Sequence, residues 1–548
     1  MGDKIFFNRH KLTNLPDSWC WASLDELMKK IVDGSHHTPT YTDNGIPFLS
    51  VKDIRNGQIY FDNCKYISVE EHKILCQRCN PEYGDLLITK SGTIGRCALV
   101  KTKREFSLFV SVALLKPATH DVNPSYISLA FQSWFQTINV QNDVTGTAIK
   151  NFHLVDFKQL KLPIAPLNEQ RRIVAKIEAL KARSQRVKDA LEDIPQLLDQ
   201  FRQSVLAAAF RGDLTADWRE QNPNVEPAPV LLERIRVERR RHWEEAELEK
   251  MKASGKLPKN DKWKEKYEEP STPDMINLPL LIESWTYSFL KPLFSQKRTG
   301  LKTGPFGSLL KKDDYRTYGI PVLGIENISS TGFINKNKIY IDEAKATELA
   351  DYDAQEGDII ISRSGTVGEV CVVPSGIGET RISTNLIRVS LADNTILPDY
   401  FCFSFRGSTF ILNQVSELCS GSTRDFLNQA ILNNLIFPIP PLEEQKEIVR
   451  RIKQLFEFSE KIEYQVTEKT QLLELLNQSI LAKAFRGELV PQDPNDEPAS
   501  VLVERIRIER DKLETKTVKK SIVKTSTRRT KKAQAQAEEP VQLELGLE

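Results

Sequence analysis

The sequence predicts an α/β protein built twice. Two homologous mixed α/β domains are separated by two long helices that pair as a coiled coil, the product of a tandem duplication. Three observations predict this. The first is a heptad row. Ile173, Ile177, Leu180, Val187, Leu191, Ile194, Leu198, Phe201 and Val205 alternate steps of four and three, interrupted only at Ser184. Ile448, Ile452, Leu455, Ile462, Val466, Leu473, Leu476 and Ile480 repeat it, with Ser459 at the matching gap. A 3.5-residue period marks a seam for a partner helix.

The second observation is a set of blocks at a near-constant offset. Tyr41 and Gly45-Ile46-Pro47 match Tyr315 and Gly319-Ile320-Pro321. Ser91-Gly92-Thr93-Ile94-Gly95 matches Ser364-Gly365-Thr366-Val367-Gly368. Pro166-Leu167-Asn168-Glu169-Gln170 matches Pro441-Leu442-Glu443-Glu444-Gln445, and Ala209-Phe210-Arg211-Gly212-Asp213-Leu214 matches Ala484-Phe485-Arg486-Gly487-Glu488-Leu489, both 275 residues on. Self-similarity of this kind is a fold-level signal. The third observation is the pattern inside each copy. GIPFLSV and DLLITKSGTIGRCALV read as short strands with a Gly-containing turn, as do GIPVLGI and DIIISRSGTVGEVCVV. Helical stretches fall at 69–77, 126–135 and 342–352.

In order, the chain divides into an α/β domain at 1–165, a helical region and linker at 166–270, a second α/β domain at 271–440, a second helical region at 441–514, and a tail at 515–548. The long helices open after Pro166 and Pro441, where proline suits the first turn, and close at Gly212 and Gly487, which can take a left-handed cap. Pro195 lies inside the first helix and predicts a kink or break there, because an interior proline removes a hydrogen bond. Residues 230–251 read as a charge-rich helix, matched at 501–514, and 252–274 as a polar linker. The tail carries eight Lys/Arg and no acid over 516–532, then four Glu, and reads as disordered and solvated.

At 548 residues the chain exceeds what one core fills. No secretory signal and no apolar run of about 18 residues occurs, so a non-membrane, cytoplasmic protein is expected. The eight cysteines show no disulfide framework. Residues 1–515 carry 68 basic and 70 acidic side chains, so any nucleic acid must be held by local patches or through a partner. No P-loop, no dinucleotide fingerprint and no nuclease-like cluster of acids with lysine stands out. Asn80-Pro81-Glu82-Tyr83 resembles a base-methylation loop, but the second copy lacks it. Cys76-x-x-Cys79 is a lone pair, also absent from the second copy, and reads as two free thiols rather than a zinc site.

The duplicated plan, the twin P-L-x-E-Q helix openings, the A-F-R-G-[DE]-L helix ends and the twin SGT[IV]G turns resemble the specificity subunit of type I restriction–modification systems. The resemblance covers about residues 10–514. It implies two target-recognition domains, each reading half of a bipartite double-stranded DNA site, separated by the two long helices packed as an antiparallel coiled coil about a pseudo-two-fold axis, and no catalysis by this chain. It implies two modification subunits carrying S-adenosylmethionine, and restriction subunits supplying ATP- and magnesium-dependent translocation and cleavage, within an adenine-methylating and DNA-cleaving complex. A coiled-coil scaffold without DNA recognition is the alternative; it does not explain two elaborate domains with divergent loops.

If the domains read DNA, loops flanking the strands are the places to look. In the first domain these offer Ser35, His36, His37, Tyr41, Lys52, Arg55, Lys90 and Ser91. In the second they offer Lys302, Thr303, Phe306, Ser308, Lys311, Lys312, Tyr315, Glu326, Asn327, Arg363 and Ser364. Lys and Arg can grip phosphate or read guanine, and Asn can pair with adenine. The His36-His37 pair reads equally as a hydrogen-bonding surface or as plain loop. Tyr41 and Tyr315, shared by both copies, read as structural. Residues that differ between copies are the better candidates for discrimination.

Overall fold

The structure is a computed structural model that describes residues 15–145, 152–255, 258, 260–329, 332–363, 368–419 and 427–512. The chain forms two compact units, Met1–Glu192 with Thr467–Glu548, and Asp193–Val466. Each combines one α/β half with pieces of both helical regions.

In the first unit a four-stranded antiparallel sheet runs in the order Met28–Asp33, Val112–Pro117, Leu86–Thr89, Cys97–Leu99. The second unit repeats the order with Leu301–Thr303, Leu386–Val389, Ile359–Ser362 and Val370–Val372. Registers match as well. Ile88 faces Ala113, which faces Asp33; Ile361 faces Ile387, which faces Thr303. Both central strands are buried along their whole length, as their unbroken Leu/Ile runs require. The strand Ile46–Leu49 lies inside a second sheet, as Ile320–Leu323 does in the other copy.

Each α/β half is closed where the chain enters and leaves it. Cys20–Ser23 pairs antiparallel with Lys161–Ile164, and Thr286–Phe289 with Ile436–Ile439. The exit strand runs straight into the long helix through Ala165-Pro166 or Pro440-Pro441. The Gln of each P-L-x-E-Q turns back to the carbonyl before that proline. Gln170 Nε2 donates to Ala165 at 2.8 Å and Gln445 Nε2 to Pro440 at 3.1 Å.

The first long helix is broken, Leu167–Glu192 and Ile194–Arg211, with Pro195 in the first turn of the second piece. The second is continuous, Leu442–Ala484, and its 43 residues span about 65 Å. Gly212 and Gly487 take φ of 81° and 78°, the left-handed values a helix end favours.

Pairing is antiparallel. In the second unit Arg202 meets Glu463 at 2.8 Å, Asp217 meets Arg451 at 2.6 Å, and Arg219 meets Glu444 at 2.5 Å, so one helical run descends as the other climbs. In the first unit Ile173 and Ile177 share a core with Leu481, Ala484 and Phe485. Ile448 and Ile452 likewise join Val205, Leu206 and Phe210. Full burial of each such side chain stabilises by about 1.5–3 kcal/mol.

The seam is not uniform. Val187, placed in it by sequence, is 45% exposed, and Leu476 is 51% exposed. A 3.6-residue helix drifts about 20° per heptad against a 3.5-residue row, and the break at Asp193 resets the register. Leu180, Leu191, Leu455, Ile462, Val466 and Leu473 are half-buried, whereas Leu198 is buried. The two serines that interrupt the row, Ser184 and Ser459, are themselves buried.

The helix Ala228–Ala253 buries Leu231, Leu232 and Ile235, and its counterpart at 499–512 buries Leu502, Val503 and Ile506. The linker after the first of these is partly docked. Trp263 stacks on Trp243 with ring centres 6.1 Å apart and planes at 25°, and Tyr267 lies 5.4 Å from Trp243. The residues 515–548 fall outside the described residues. Among the described residues no helix is long and apolar enough to cross a membrane.

Candidate nucleic-acid interface

The two copies diverge in the loop that leaves the same sheet edge. The edge strand of each sheet ends in a glycine pressed against a neighbouring backbone. A Cβ on Gly34 would lie 2.0 Å from the Leu108 carbonyl oxygen, and one on Gly304 would lie 1.9 Å from that of Ser383. Only glycine fits there, so the chain turns away at the same place in both copies. The loops that follow rejoin at Gly45 and Gly319, with ten intervening residues in the first copy and fourteen in the second.

In the first loop Ser35 is buried and its hydroxyl donates to the His37 carbonyl at 2.7 Å. It shapes the loop and does not face solvent, which corrects its place among reading residues. His36 and His37 stand out to solvent; His37 lies 3.5 Å from Glu71. Tyr41 is half-exposed, packs 6.1 Å from Phe48, and carries the Lys65 ammonium 3.9 Å over its ring. Lys52 is exposed, and Arg55 lies 4.4 Å over Tyr60. Lys90 is a further correction. It is buried and paired with Asp33 at 3.0 Å, because the strands ending in Asp33 and Thr89 run side by side with Val112–Pro117 between them. Burial pushes the Asp33 carboxyl up, but hydrogen bonds from His36 and Lys90 outweigh it and hold it below the usual carboxylate range. Ser91 is half-buried at the head of the following turn.

In the second loop Phe306 is 65% exposed, and Ser308, Lys311, Lys312 and Tyr315 also reach solvent. Leu310 anchors the loop in a small core with Val322 and Ile341. The Asp314 carboxylate accepts from the Lys311 amide at 2.7 Å. The loop is thus built to hold an aromatic ring and two lysines outward. Lys302 is committed to Asp351 at 3.4 Å and Tyr352, and Thr303 accepts from Gln429 at 2.9 Å. Glu326 is half-buried in a short turn. Asn327 is wholly buried: its oxygen accepts from the Gly324 amide, and its amide donates to Ile334 and Asn337. It holds a turn and has no donor left for adenine, which removes it from the reading residues. Arg363 sits at the position of Lys90, and its backbone bridges to Asn385 and Leu427. Ser364 lies outside the described residues.

Sequence reasoning missed two features. One is the Asp33 cluster, which also gathers Arg78; Asp33 and Arg78 are 45 residues apart, and no local pattern links them. Cys79 is buried, its thiol pushed up to about 12 by desolvation. Cys76 contacts His72 at 3.4 Å. Among the described residues no group of three or more His, Cys, Asp or Glu is placed to hold a metal.

The other is a buried carboxylate hub beneath each α/β half. Trp19 Nε1 donates to Glu169 at 3.0 Å, and Gln492 donates to the same carboxylate at 2.6 Å. In the second unit Trp285 Nε1 donates to Glu444 at 2.9 Å, joined by Thr215 at 2.7 Å and Arg219 at 2.5 Å. Each hub ties the tryptophan and the P-L-x-E-Q glutamate of one copy to a residue just beyond the A-F-R-G-[DE]-L helix end of the other.

Comparison with known proteins agrees with this plan. The family model for the type I restriction modification DNA specificity domain matches residues 16–195 and again 285–471. The chain therefore belongs to that family, as a specificity subunit of the type I restriction–modification kind, with two specificity domains. It is 26% identical over 524 residues to the specificity subunit of the type I restriction enzyme EcoKI of Escherichia coli K12, covering 90% of this chain and 96% of that protein. It is 26% identical over 527 residues to the StySPI specificity subunit of Salmonella potsdam, covering 92% and 97%. The fold is shared with the HsdS subunit of Thermoanaerobacter tengcongensis, at TM-score 0.51 and 19% identity, over 87% of this chain and 99% of that one. A chain from a structure of the type I R-M system gives TM-score 0.56 at 20% identity, over 87% and 100%.

Proposed function

We propose that this chain reads an asymmetric, bipartite site on double-stranded DNA, one α/β domain per half-site, and serves as the scaffold for modification and restriction subunits. One observation carries the reading: a single fold occurs twice, with the same order and register in its central sheet, yet presents different side chains from the same loop. The first copy offers His36 and His37 where the second offers Phe306, Lys311 and Lys312. Direct readout needs this combination of a fixed frame and variable donors, acceptors and apolar groups. Unlike loops read unlike half-sites, so the target is asymmetric.

In this reading the chain performs no bond chemistry. S-adenosylmethionine, ATP and magnesium belong to the partner subunits, with two modification subunits matching the two-fold repetition. The complex works in the cytoplasm, on the cell's own and incoming DNA.

The test is methylated-adenine profiling of genomes with and without this gene, its partner subunits present in both. A two-part motif with different halves, present only with the gene, is expected. No gene-dependent motif, or one uninterrupted short motif, overturns the proposal.

A further inference from the structure

We propose that Arg78 is a base-reading residue of the first half-site, and that its guanidinium, braced by Asp33 beside His36, takes a guanine edge. This rests on the DNA-reading function above and adds to it one residue and the base it recognises.

Asp33 ends the edge strand of the first sheet, and its side chain is 2% exposed. Its Oδ2 is neutralised by Lys90, whose ammonium is nearly as deeply buried, at 3.0 Å. That pair satisfies the buried charge. Yet the other oxygen, Oδ1, receives two more groups, His36 Nε2 at 3.0 Å and Arg78 Nη2. The two also meet each other at 3.2 Å. Their side chains are 58% and 52% exposed. A single buried carboxylate has no need of these two outer groups for its own sake. It acts as a brace that fixes two solvent-facing hydrogen-bonding groups side by side.

The backbone under Arg78 is fixed as well. Its carbonyl accepts from Lys30 Nζ at 2.6 Å, and the next residue, Cys79, is buried. The guanidinium is thus held through one Nη2 hydrogen, with His36 Nε2 donating to the same carboxylate; among the described residues Nε and Nη1 make no hydrogen bond to protein, and the second Nη2 hydrogen with its neighbour completes a two-point edge. A planar fork in that state is shaped for the O6 and N7 acceptors of guanine in a major groove. A phosphate clamp is built differently, because an adjacent carboxylate weakens the pull on an anion. Lys52 is exposed and without an ion pair among the described residues, and suits phosphate better.

The second domain has no copy of this device. Thr303 stands at the position of Asp33, and the stretch matching Arg78 holds Asp351 and Tyr352. A reader private to one domain is what two different half-sites require.

The experiment compares methylation motifs in cells expressing the complete set of subunits with wild-type chain, R78K or R78A. Lysine keeps the charge and loses the two-point fork. At one position of the first half-site, preference for guanine should relax by about ten- to a hundred-fold, the range of a bidentate contact. The second half-site and the spacer should stay unchanged. A wild-type motif that survives both substitutions overturns the assignment, as does a uniform fall in methylation with the motif intact, the mark of a phosphate contact. Loss of methylation at every site in R78K overturns it too, since removing one reader relaxes one position. Absence of any gene-dependent motif in the wild type overturns the DNA-reading function itself, and the assignment with it.

Discussion

Glu169 and Glu444 occupy the same place in two copies and differ in what surrounds them. Glu444 has a cation, Arg219, in contact; Glu169 has the neutral donors Trp19 and Gln492. Burial pushes the Glu169 carboxyl above its ordinary 4.5, and the hydrogen bonds only partly oppose this. A raised acid is most favourable to the fold at low pH, and its contribution is lost as pH rises from 4.5 through the raised value. Glu169→Gln keeps an acceptor for Trp19 and removes that loss, so the Tm of the variant should gain on wild type between pH 4 and pH 7. Glu444→Gln instead strands Arg219 and should cost about 2 kcal/mol, or about 5 °C in Tm. Thermal unfolding at several pH values checks both, and equal behaviour of the two variants would contradict the account. Lys311 and Lys312 make a second residue-scale case. Both are exposed in a braced loop, and if they hold phosphates, replacing both with Ala should flatten the fall of DNA affinity with salt by up to two charges' worth of slope. Titrations of the complex at 50–200 mM salt, a range over which phosphate contacts show, measure it.

At the scale of elements, the divergent loop of each copy hangs from a strand end that tolerates no side chain. Gly304→Ala would drive a Cβ into the Ser383 carbonyl, and since that oxygen is backbone, relief requires moving a strand. A cost of about 3 kcal/mol is expected, the upper end for overpacking. Gly307→Ala in the same loop meets no atom within 4 Å and should be near neutral, and denaturant midpoints of the pair make the comparison. The long helices show a related asymmetry. Pro195 ends one helix because it cannot donate and fits a first turn; Thr470 at the matching position lets the other run on through 43 residues.

At the scale of the molecule, the compact units do not coincide with the repeats. Asp193–Val466 is one unbroken stretch and contains its whole core, hub and helix pair. Expressed alone it should fold, with a single cooperative thermal transition. Residues 1–192 alone lack Leu481, Ala484, Phe485, Leu502 and Ile506, with which Ile173 and Ile177 share one core. That fragment should be insoluble or loosely packed, and adding 467–512 as a separate chain should rescue it. Circular dichroism and calorimetry of the three preparations decide. A well-folded 1–192 would show that the units are drawn wrongly.

Periodicity and repetition are local or pairwise properties of a chain, so the sequence alone determined the duplication, the α/β halves, the long helices and the break at Pro195, while the antiparallel direction of the pairing came with the family resemblance. The specificity family was legible in the same blocks. Burial is a property of three dimensions, and there the reading of residues was weakest. Ser35, Lys90 and Asn327 are polar residues in loops by sequence, yet each is enclosed and spends its hydrogen bonds on the fold. Val187 fits the heptad row, yet drift of the helix leaves it in water. Asp33 could be joined to Arg78 only once tertiary structure had brought a strand end and a helix end together. A polar side chain serves the fold or a ligand according to whether its partners are protein groups, and those partners come from distant parts of the chain.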